Sequence, residues 1–328
     1  MLNFLCQGIK GRYGVPRVPA RGSAMFFYGL LSILCLTHAS WSSSCYNPCP
    51  TGCTCTGYKD CIVNCSNAGL SGVPSQSDLP SSISHIIKIY LSYNSISSIG
   101  AYDLKFLTNL EEIHLQGNNI NSIDPDAFSE PTLKIINLSN NPLKAVHGEL
   151  FDGCEKAEVI NLSQTQLTTL PDSTFDKIQC LKELDLSWNN IQFLRGEVFK
   201  SLKCLEVLKL AGNALENIDI LASILTSFNK LIQLDLSHNK FTTFPTNVLS
   251  LLTNLKKVNI AYNPFICNCD LMSFRTELVT LQSKGVELVD KNNVNCSNAP
   301  SVNLINQSSE KFWSFVGDWF RAVSKFFL

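Results

Sequence analysis

The chain has 328 residues, with 26 Lys and Arg against 27 Asp and Glu, a net charge of -1 and only 16% charged residues. So near-neutral a balance argues against nucleic acid or an anionic membrane as an electrostatic partner. Taken in chain order, residues 26–36 form an apolar run with Lys10, Arg12, Arg17 and Arg21 before it and Thr37-His38-Ala39 after it. That layout predicts a secretory signal peptide over residues 1–39, cleaved after Ala39 or Ser40. Its basic region is unusually long, and Met25 is an alternative start that leaves a short signal. A retained signal anchor is the competing reading, but ~11 apolar residues are short for a span.

Residues 40–85 hold six cysteines, Cys45, Cys49, Cys53, Cys55, Cys61 and Cys65. In the oxidising compartment that a signal peptide implies, such a cluster forms disulfides. Zinc at Cys53-x-Cys55 is the alternative, and secretion argues against it. We expect no metal and no cofactor.

From Ile86 the template L-x-x-L-x-L-x-x-N-x-L recurs at Ile86, Leu110, Leu133, Ala157, Leu181, Leu205, Leu231 and Leu255, with spacings of 24, 23, 24, 24, 24, 26 and 24 residues. A fixed period of this size predicts a solenoid of eight leucine-rich repeats over residues 86–262. The x-L-x-L-x segment alternates apolar and polar, so each repeat contributes a short strand with one buried face. No repeat can bury its leucines alone, and stacking gives each one neighbours. The ninth position holds Asn94, Asn118, Asn141, Asn189, Asn213, Asn239 and Asn263. A buried amide there both donates and accepts, so it can satisfy the backbone left open by the turn after the strand. Repeat four has Thr165 instead, which predicts a local weakness or a water. Phe128, Phe151, Phe175 and Phe199 recur in register and read as a core spine. Repeat six is two residues longer, with Ser223-Ile224-Leu225 at that place, so its convex side should bulge. Cys180 and Cys204 share one slot in adjacent repeats, close enough to meet; we read them as reduced, partly buried thiols, and Cys154 as core.

Cys267, Cys269 and Cys296 follow the last repeat, in residues 263–306. A solenoid ends in open strand edges and bare leucines, and both ends need covering. The two cysteine clusters flank the array where caps belong. Residues 307–328 then change character. Phe312, Trp313, Phe315, Val316, Trp319, Phe320, Val323, Phe326 and Phe327 fall at helical spacing, with Lys311, Asp318, Arg321 and Lys325 among the polar positions. This aromatic tail is short and charged for a span and makes a poor glycolipid-anchor signal. Three readings stay open: peripheral contact with a membrane surface, packing against the last repeat, or binding a partner.

An enzyme is not expected. The five histidines make no H-E-x-x-H pair, and neither a G-x-S-x-G elbow nor a phosphate loop occurs. Ser187 and Ser237 beside Asp185 and Asp235 are template residues on separate rungs, so no catalytic set emerges.

Cys49-Pro50-x-x-Cys53-x-Cys55 with Cys65 and Leu70-x-x-Val73-Pro74, the 24-residue repeats with a late Phe, and Asn263-Pro264-Phe265-Ile266-Cys267-Asn268-Cys269 together resemble the extracellular leucine-rich-repeat family. Toll-like receptor ectodomains, lamprey variable lymphocyte receptors, Slit, the Nogo receptor and the small matrix proteoglycans share these parts. The resemblance covers residues 45 to about 305. It implies an α/β solenoid: a horseshoe with a parallel concave sheet, an irregular convex side and disulfide-bonded caps. By analogy Cys49 would pair with Cys55, Cys53 with Cys65, and Cys267 with Cys296. Cys45 and Cys61 are extra and could pair with each other. The family's usual fourth cysteine does not follow Cys296, so Cys269 is left over, either free or joining the chain to a second copy as a dimer.

The resemblance implies secretion and recognition of an extracellular protein or glycan ligand, in innate immunity or as a modulator of a cell-surface receptor. A structural or adhesive matrix protein like the small proteoglycans is the alternative. Side chains at the third, fifth, seventh and eighth template positions should face out of the concave sheet, Gln116 among them. Solenoids bind on such surfaces, and aromatic side chains flanked by mixed charges suit an interface. The expected centre is Asp185, Trp188, Lys209, Asp235, His238 and Tyr262, with Tyr90, Tyr93 and His114 on earlier rungs. Sequons stand at Asn64, Asn137, Asn161, Asn295 and Asn306. Glycans on Asn137 and Asn161 would shield repeats three and four and leave repeats five to eight, or the edges, for a ligand.

Overall fold

The computed structural model describes Cys45, residues 49–306 apart from 58, 81, 82, 130, 131, 269 and 270, and Ser314. The expected signal peptide, Cys269 and the aromatic tail, Ser314 excepted, lie outside the described residues.

An antiparallel hairpin opens the fold, β1 (Thr54–Thr56) on β2 (Cys61–Asn64). β2 then pairs in parallel with β3 (Ile86–Tyr90). Seven more repeat strands follow: β5 (Glu112–His114), β7 (Ile135–Asn137), β8 (Val159–Asn161), β9 (Glu183–Asp185), β10 (Val207–Lys209), β11 (Gln233–Asp235) and β12 (Lys257–Asn259). They form one eleven-stranded sheet that ends in β13 (Glu287–Val289). Repeat strands pair in constant register; Glu183, Leu184 and Asp185 face Val207, Leu208 and Lys209. The middle residue of each three-residue strand is buried, from Ile113 to Val258, and its two flanking residues on the other face are mostly half-buried. Period-two alternation and a buried leucine on every rung thus produce one continuous core. Each such side chain contributes about 1.5–3 kcal/mol on burial.

The asparagines build a ladder behind the sheet. Asn118 Nδ2 donates to the carbonyls of Leu91 (2.9 Å) and Leu115 (2.8 Å), and its Oδ1 accepts the N–H of Ile96 (3.1 Å). Asn141, Asn189, Asn213, Asn239 and Asn263 repeat this set one rung at a time. At Thr165 the side chain keeps part of the ladder but not its amide acceptor. Its hydroxyl donates to Leu162 O (2.6 Å) and Asn189 Oδ1 (3.0 Å), and its N–H also reaches Asn189 Oδ1 (2.9 Å). What changes is the turn before it. Leu143 N–H has no amide carbonyl on the next rung and bonds Asn141 O (2.9 Å). Lys144, in the left-handed region, bonds Thr165 O. Phe265, beyond the last asparagine, makes the matching bond to Asn263 O (2.9 Å).

On the convex side β4 (Ser98–Ile99) pairs with β6 (Ser122–Ile123), and later rungs run through turns and short 3-10 segments. Phe128, Phe151 and Phe175 stack with centroids 6.1 and 5.9 Å apart. Repeat six uses its two extra residues for α1 (Ile218–Leu225), and Phe228 after it meets Phe199 edge-on at 6.1 Å. Past β12, α2 (Leu271–Ser283) lies against the last rung, where Phe274 stacks on Phe244 at 4.3 Å. Glu277, buried on α2, accepts the N–H groups of Asn247 (2.8 Å) and Ser250 (2.7 Å). β14 (Asn295–Cys296) and β15 (Ala299–Asn303) form a small antiparallel pair. Disulfides join Cys45–Cys61, Cys49–Cys55 and Cys53–Cys65 at one end and Cys267–Cys296 at the other.

Candidate ligand-binding face

The fifth template position carries a turn before it carries a site. Asn137, Asn161, Asp185, Asp235 and Asn259 each direct Oδ1 at the backbone N–H two residues on, at 2.9–3.1 Å. At Asn137, Asn161 and Asp235 the hydroxyl of the following serine joins that bond. Asp185 Oδ2 lies 3.6 Å from Lys209 Nζ, which also bonds Glu183 Oε1 at 2.6 Å. Burial lowers the Lys209 ammonium's pKa, but Glu183 and Asp185 outweigh this and hold it above the usual lysine value. These three residues meet across β9 and β10.

The seventh position turns inward, which corrects the expectation that it faces out. Ser92, Ser163, Ser187, Ala211, Ser237 and Ala261 are buried, and Gln116 is half-buried. Short side chains there let the chain turn under the sheet edge.

The eighth position makes the exposed edge. In all eight repeats it sits in the left-handed region, with φ between 54° and 71°: Tyr93, Gly117, Asn140, Gln164, Trp188, Gly212, His238 and Tyr262. That conformation costs a non-glycine residue roughly 1–2 kcal/mol. A bond between rungs holds it: Tyr93 N–H to Gln116 O (2.9 Å), Trp188 N–H to Ala211 O (2.7 Å), His238 N–H to Ala261 O (3.0 Å). Trp188, Tyr93 and Tyr262 are 55%, 58% and 46% exposed, so the backbone presents them outward.

Two glycines that sequence reasoning passed over shape this edge. A Cβ on Gly117 would collide with the Tyr93 ring, and one on Gly212 with the Trp188 ring. Each aromatic lies across the bare backbone of the next rung. Over Gly212 the Trp188 ring reaches His238, two rungs on, with centroids 5.3 Å apart, and His238 stacks on Tyr262 at 4.1 Å. Trp188, His238 and Tyr262 thus form one row. The signal was present as Gly at the eighth position after an aromatic there. Beside Trp188 lies an open depression of about 490 Å³ lined by Asn140, Gln164, Gln166 and Asn190. A second group stands on the first rungs. Tyr90 stacks on His114 at 4.6 Å, and Glu112 bonds Lys88 (2.7 Å) with His114 at 3.5 Å. Burial raises the Glu112 carboxyl, but Lys88 and then His114 pull it net below the ordinary value.

The sequence matches the Leucine rich repeat family over residues 84–132, 131–191 and 181–223, the single Leucine Rich Repeat over 230–252, and the Leucine rich repeat N-terminal domain over 48–76. The chain belongs to the leucine-rich-repeat family. Leucine-rich repeat-containing protein 3B of Homo sapiens is 36% identical over 125 residues, 38% of this chain and 44% of that relative. The match therefore spans less than half of the relative's length. Among solved structures, human 5T4 (Wnt-activated inhibitory factor 1, Trophoblast glycoprotein) superposes with a TM-score of 0.62 at 22% identity, over 81% of this chain and 98% of that one. The mouse RP105/MD-1 complex gives 0.62 and 22%, over 75% and 41%. At such identity both likenesses show the fold alone.

Sequon asparagines differ in setting. Asn137 and Asn161 are register partners on β7 and β8, and their turn bonds use Oδ1, not the Nδ2 that carries a glycan. Asn64 is exposed and accepts the N–H of Ser66. Asn295 is half-buried and accepts from Asn303. Asn306 is exposed and donates to Asn292. Among the described residues no cluster of three or more His, Cys, Asp or Glu could hold a metal, and no helix is long and apolar enough to cross a membrane.

Proposed function

We propose that this protein is secreted and recognises an extracellular protein or glycan partner through the concave side of its solenoid, with the footprint on repeats five to eight. The observation that carries this is the row Trp188–His238–Tyr262, built from exposed rings on strained backbone across a glycine rung. Large aromatic surfaces held rigid at low entropic cost suit binding hot spots. Lys209, Asp185 and Asp235 supply charge beside the row, and Tyr90, Tyr93 and His114 form a second, smaller patch. Glycans on Asn137 and Asn161 would separate the two. The solved RP105/MD-1 complex shows a related solenoid engaging a protein partner, and we extend that mode to this chain, in immune recognition or receptor modulation.

The test compares the secreted protein with its Trp188→Ala/Tyr262→Ala variant for binding to cell surfaces and to arrayed glycans. Loss of affinity by about 30-fold or more, the size expected for a hot-spot pair, supports the reading. Undiminished binding by the variant refutes it, and binding confined to fibrillar matrix assigns the protein to the structural class. Fractionation of cells making the full chain and a version ending at Glu310 tests the tail. Equal release into the medium makes the tail a cap or partner site, and retention of the full chain alone makes it an anchor.

A further inference from the structure

Outside the concave face, one cluster of nucleophilic groups has no part in the reading above. Cys180 and Cys204 each precede their strand by three residues, and β9 and β10 pair in parallel with residues 24 apart in register. Parallel neighbours lie about 4.8 Å apart, within the Cα separation that a disulfide requires. Cys180 is exposed, which corrects the expectation of a partly buried thiol, and Cys204 is half-exposed. Lys230, in the same slot one rung later, places Nζ 3.6 Å from Cys204 Sγ. The remaining charged groups nearby are Lys182, tied to Glu158 at 2.8 Å, and Glu206, which lines a depression with Lys230 and Lys256. The Cys204 sulfur raises the Cys180 thiol above its usual value, while Lys230 and Lys182 pull the other way. In a protein that closes four disulfides among the described residues, two accessible thiols on neighbouring rungs beside an ammonium are set up for exchange.

We propose that Cys180 and Cys204 form a reversible thiol pair that closes to a cross-rung disulfide by exchange with a low-molecular-weight disulfide. The Cys204 thiolate, its charge matched by Lys230, attacks one sulfur of oxidised glutathione. One glutathione thiolate leaves and a mixed disulfide remains on Cys204. Cys180 loses its proton to solvent and attacks Cys204 Sγ, the second glutathione thiolate leaves, and both leaving groups take up protons. Two protein thiols and one oxidised glutathione thus become one protein disulfide and two reduced glutathiones. Attack depends on the thiolate and on access, and both sulfurs are accessible. The bond would tie the rung of Trp188 to that of Gly212, the two over which the indole lies.

The experiment incubates the purified full-length glycoprotein at stepped ratios of reduced to oxidised glutathione, traps thiols with N-ethylmaleimide, and maps Cys-containing peptides by mass spectrometry. The Cys180–Cys204 link is expected to rise from a minor to the major form across the range while the four cap disulfides stay closed. Cys180→Ser should accumulate glutathione on Cys204, and Lys230→Gln, with both thiols intact, should slow closure several-fold. Alkylation of both cysteines at the most oxidising ratio overturns the proposal. So does a link found only between two chains. Adduct formation on Cys180 in Cys204→Ser, but not on Cys204 in Cys180→Ser, reverses the assigned order and overturns that part.

Discussion

At the residue scale the asparagine ladder and the left-handed edge place opposite demands on the chain. Asn189 accepts the N–H groups of Thr165 and Leu167 and donates to Leu162 and Leu186. Asn189→Ala leaves several buried groups unpaired, each costing about 1–3 kcal/mol. We expect the variant to lose at least ~3 kcal/mol in urea unfolding, or to fail secretion. Trp188 is the reverse case. Its left-handed backbone costs roughly 1–2 kcal/mol that glycine would recover, against lost packing on Gly212 and His238. Trp188→Gly should therefore change unfolding free energy by less than ~1 kcal/mol while abolishing ligand capture, measured on the same preparation. Glu112 adds a pH dependence. Its folded pKa is depressed from the usual 4.5, so its contribution is present above that value and is lost as pH falls through the lower folded value. Glu112→Gln should flatten stability against pH in that acid window in thermal melts. The template positions that made these residues legible are local. The eighth-position conformation was not, because a left-handed aromatic reads in sequence like any other residue between strand and asparagine. The Trp188–His238 contact spans two rungs and depends on Gly212, whose importance is the absence of a side chain. The contacts of Thr165 were hidden for a similar reason, since its partner Asn189 belongs to the next repeat.

Elements follow the period closely wherever the repeat is regular. Eight strands with inward leucines could be placed from spacing alone, because each rung's burial pattern is written within a few residues. The convex side was harder. The two extra residues in repeat six predicted a bulge, and the structure spends them on α1, with Phe228 returning an aromatic to the core. Helix α2 was not anticipated at all. Its anchoring depends on a buried carboxylate, Glu277, that receives two N–H groups from the turn at residues 247–250, 27 and 30 residues away. Charge-assisted bonds of this kind are about twice as strong as neutral ones. Glu277→Ala is expected to cost roughly 2–4 kcal/mol by leaving both donors buried and unpaired, and to loosen α2 before the repeats. Hydrogen exchange across residues 247–290 checks this, with protection falling there while β5–β9 stay protected.

For the whole molecule, stability is close to a sum over rungs and their interfaces. The eleven-stranded sheet has two ends, each closed by a disulfide-bonded segment, so the terminal rungs depend most on cross-links. Reducing the disulfides should lower the denaturation midpoint and expose β1–β3 and β12–β13 to exchange first, with β8–β10 last. Uniform loss along the array would mean that the solenoid unfolds as one block. Near-neutral charge fits the same design, because the concave face pairs most of its ions across rungs, Lys88 with Glu112 and Lys209 with Glu183. A partner meets rings and amides there more than net charge, so its association rate should vary little with salt.

Among the described residues the four disulfides lie at the two ends, and none falls between Cys65 and Cys267. Under tension applied through its ends, the protein with Cys180 and Cys204 reduced therefore has no covalent shortcut across its middle. About 200 residues could pay out as extended chain, roughly 680 Å of contour at ~3.4 Å each. Rungs would peel singly from whichever interface gives way first, in small sawtooth steps on a force trace. A partner gripping repeats five to eight would be holding one side of an extensible strap, and its own lifetime would set how much of the strap unwinds.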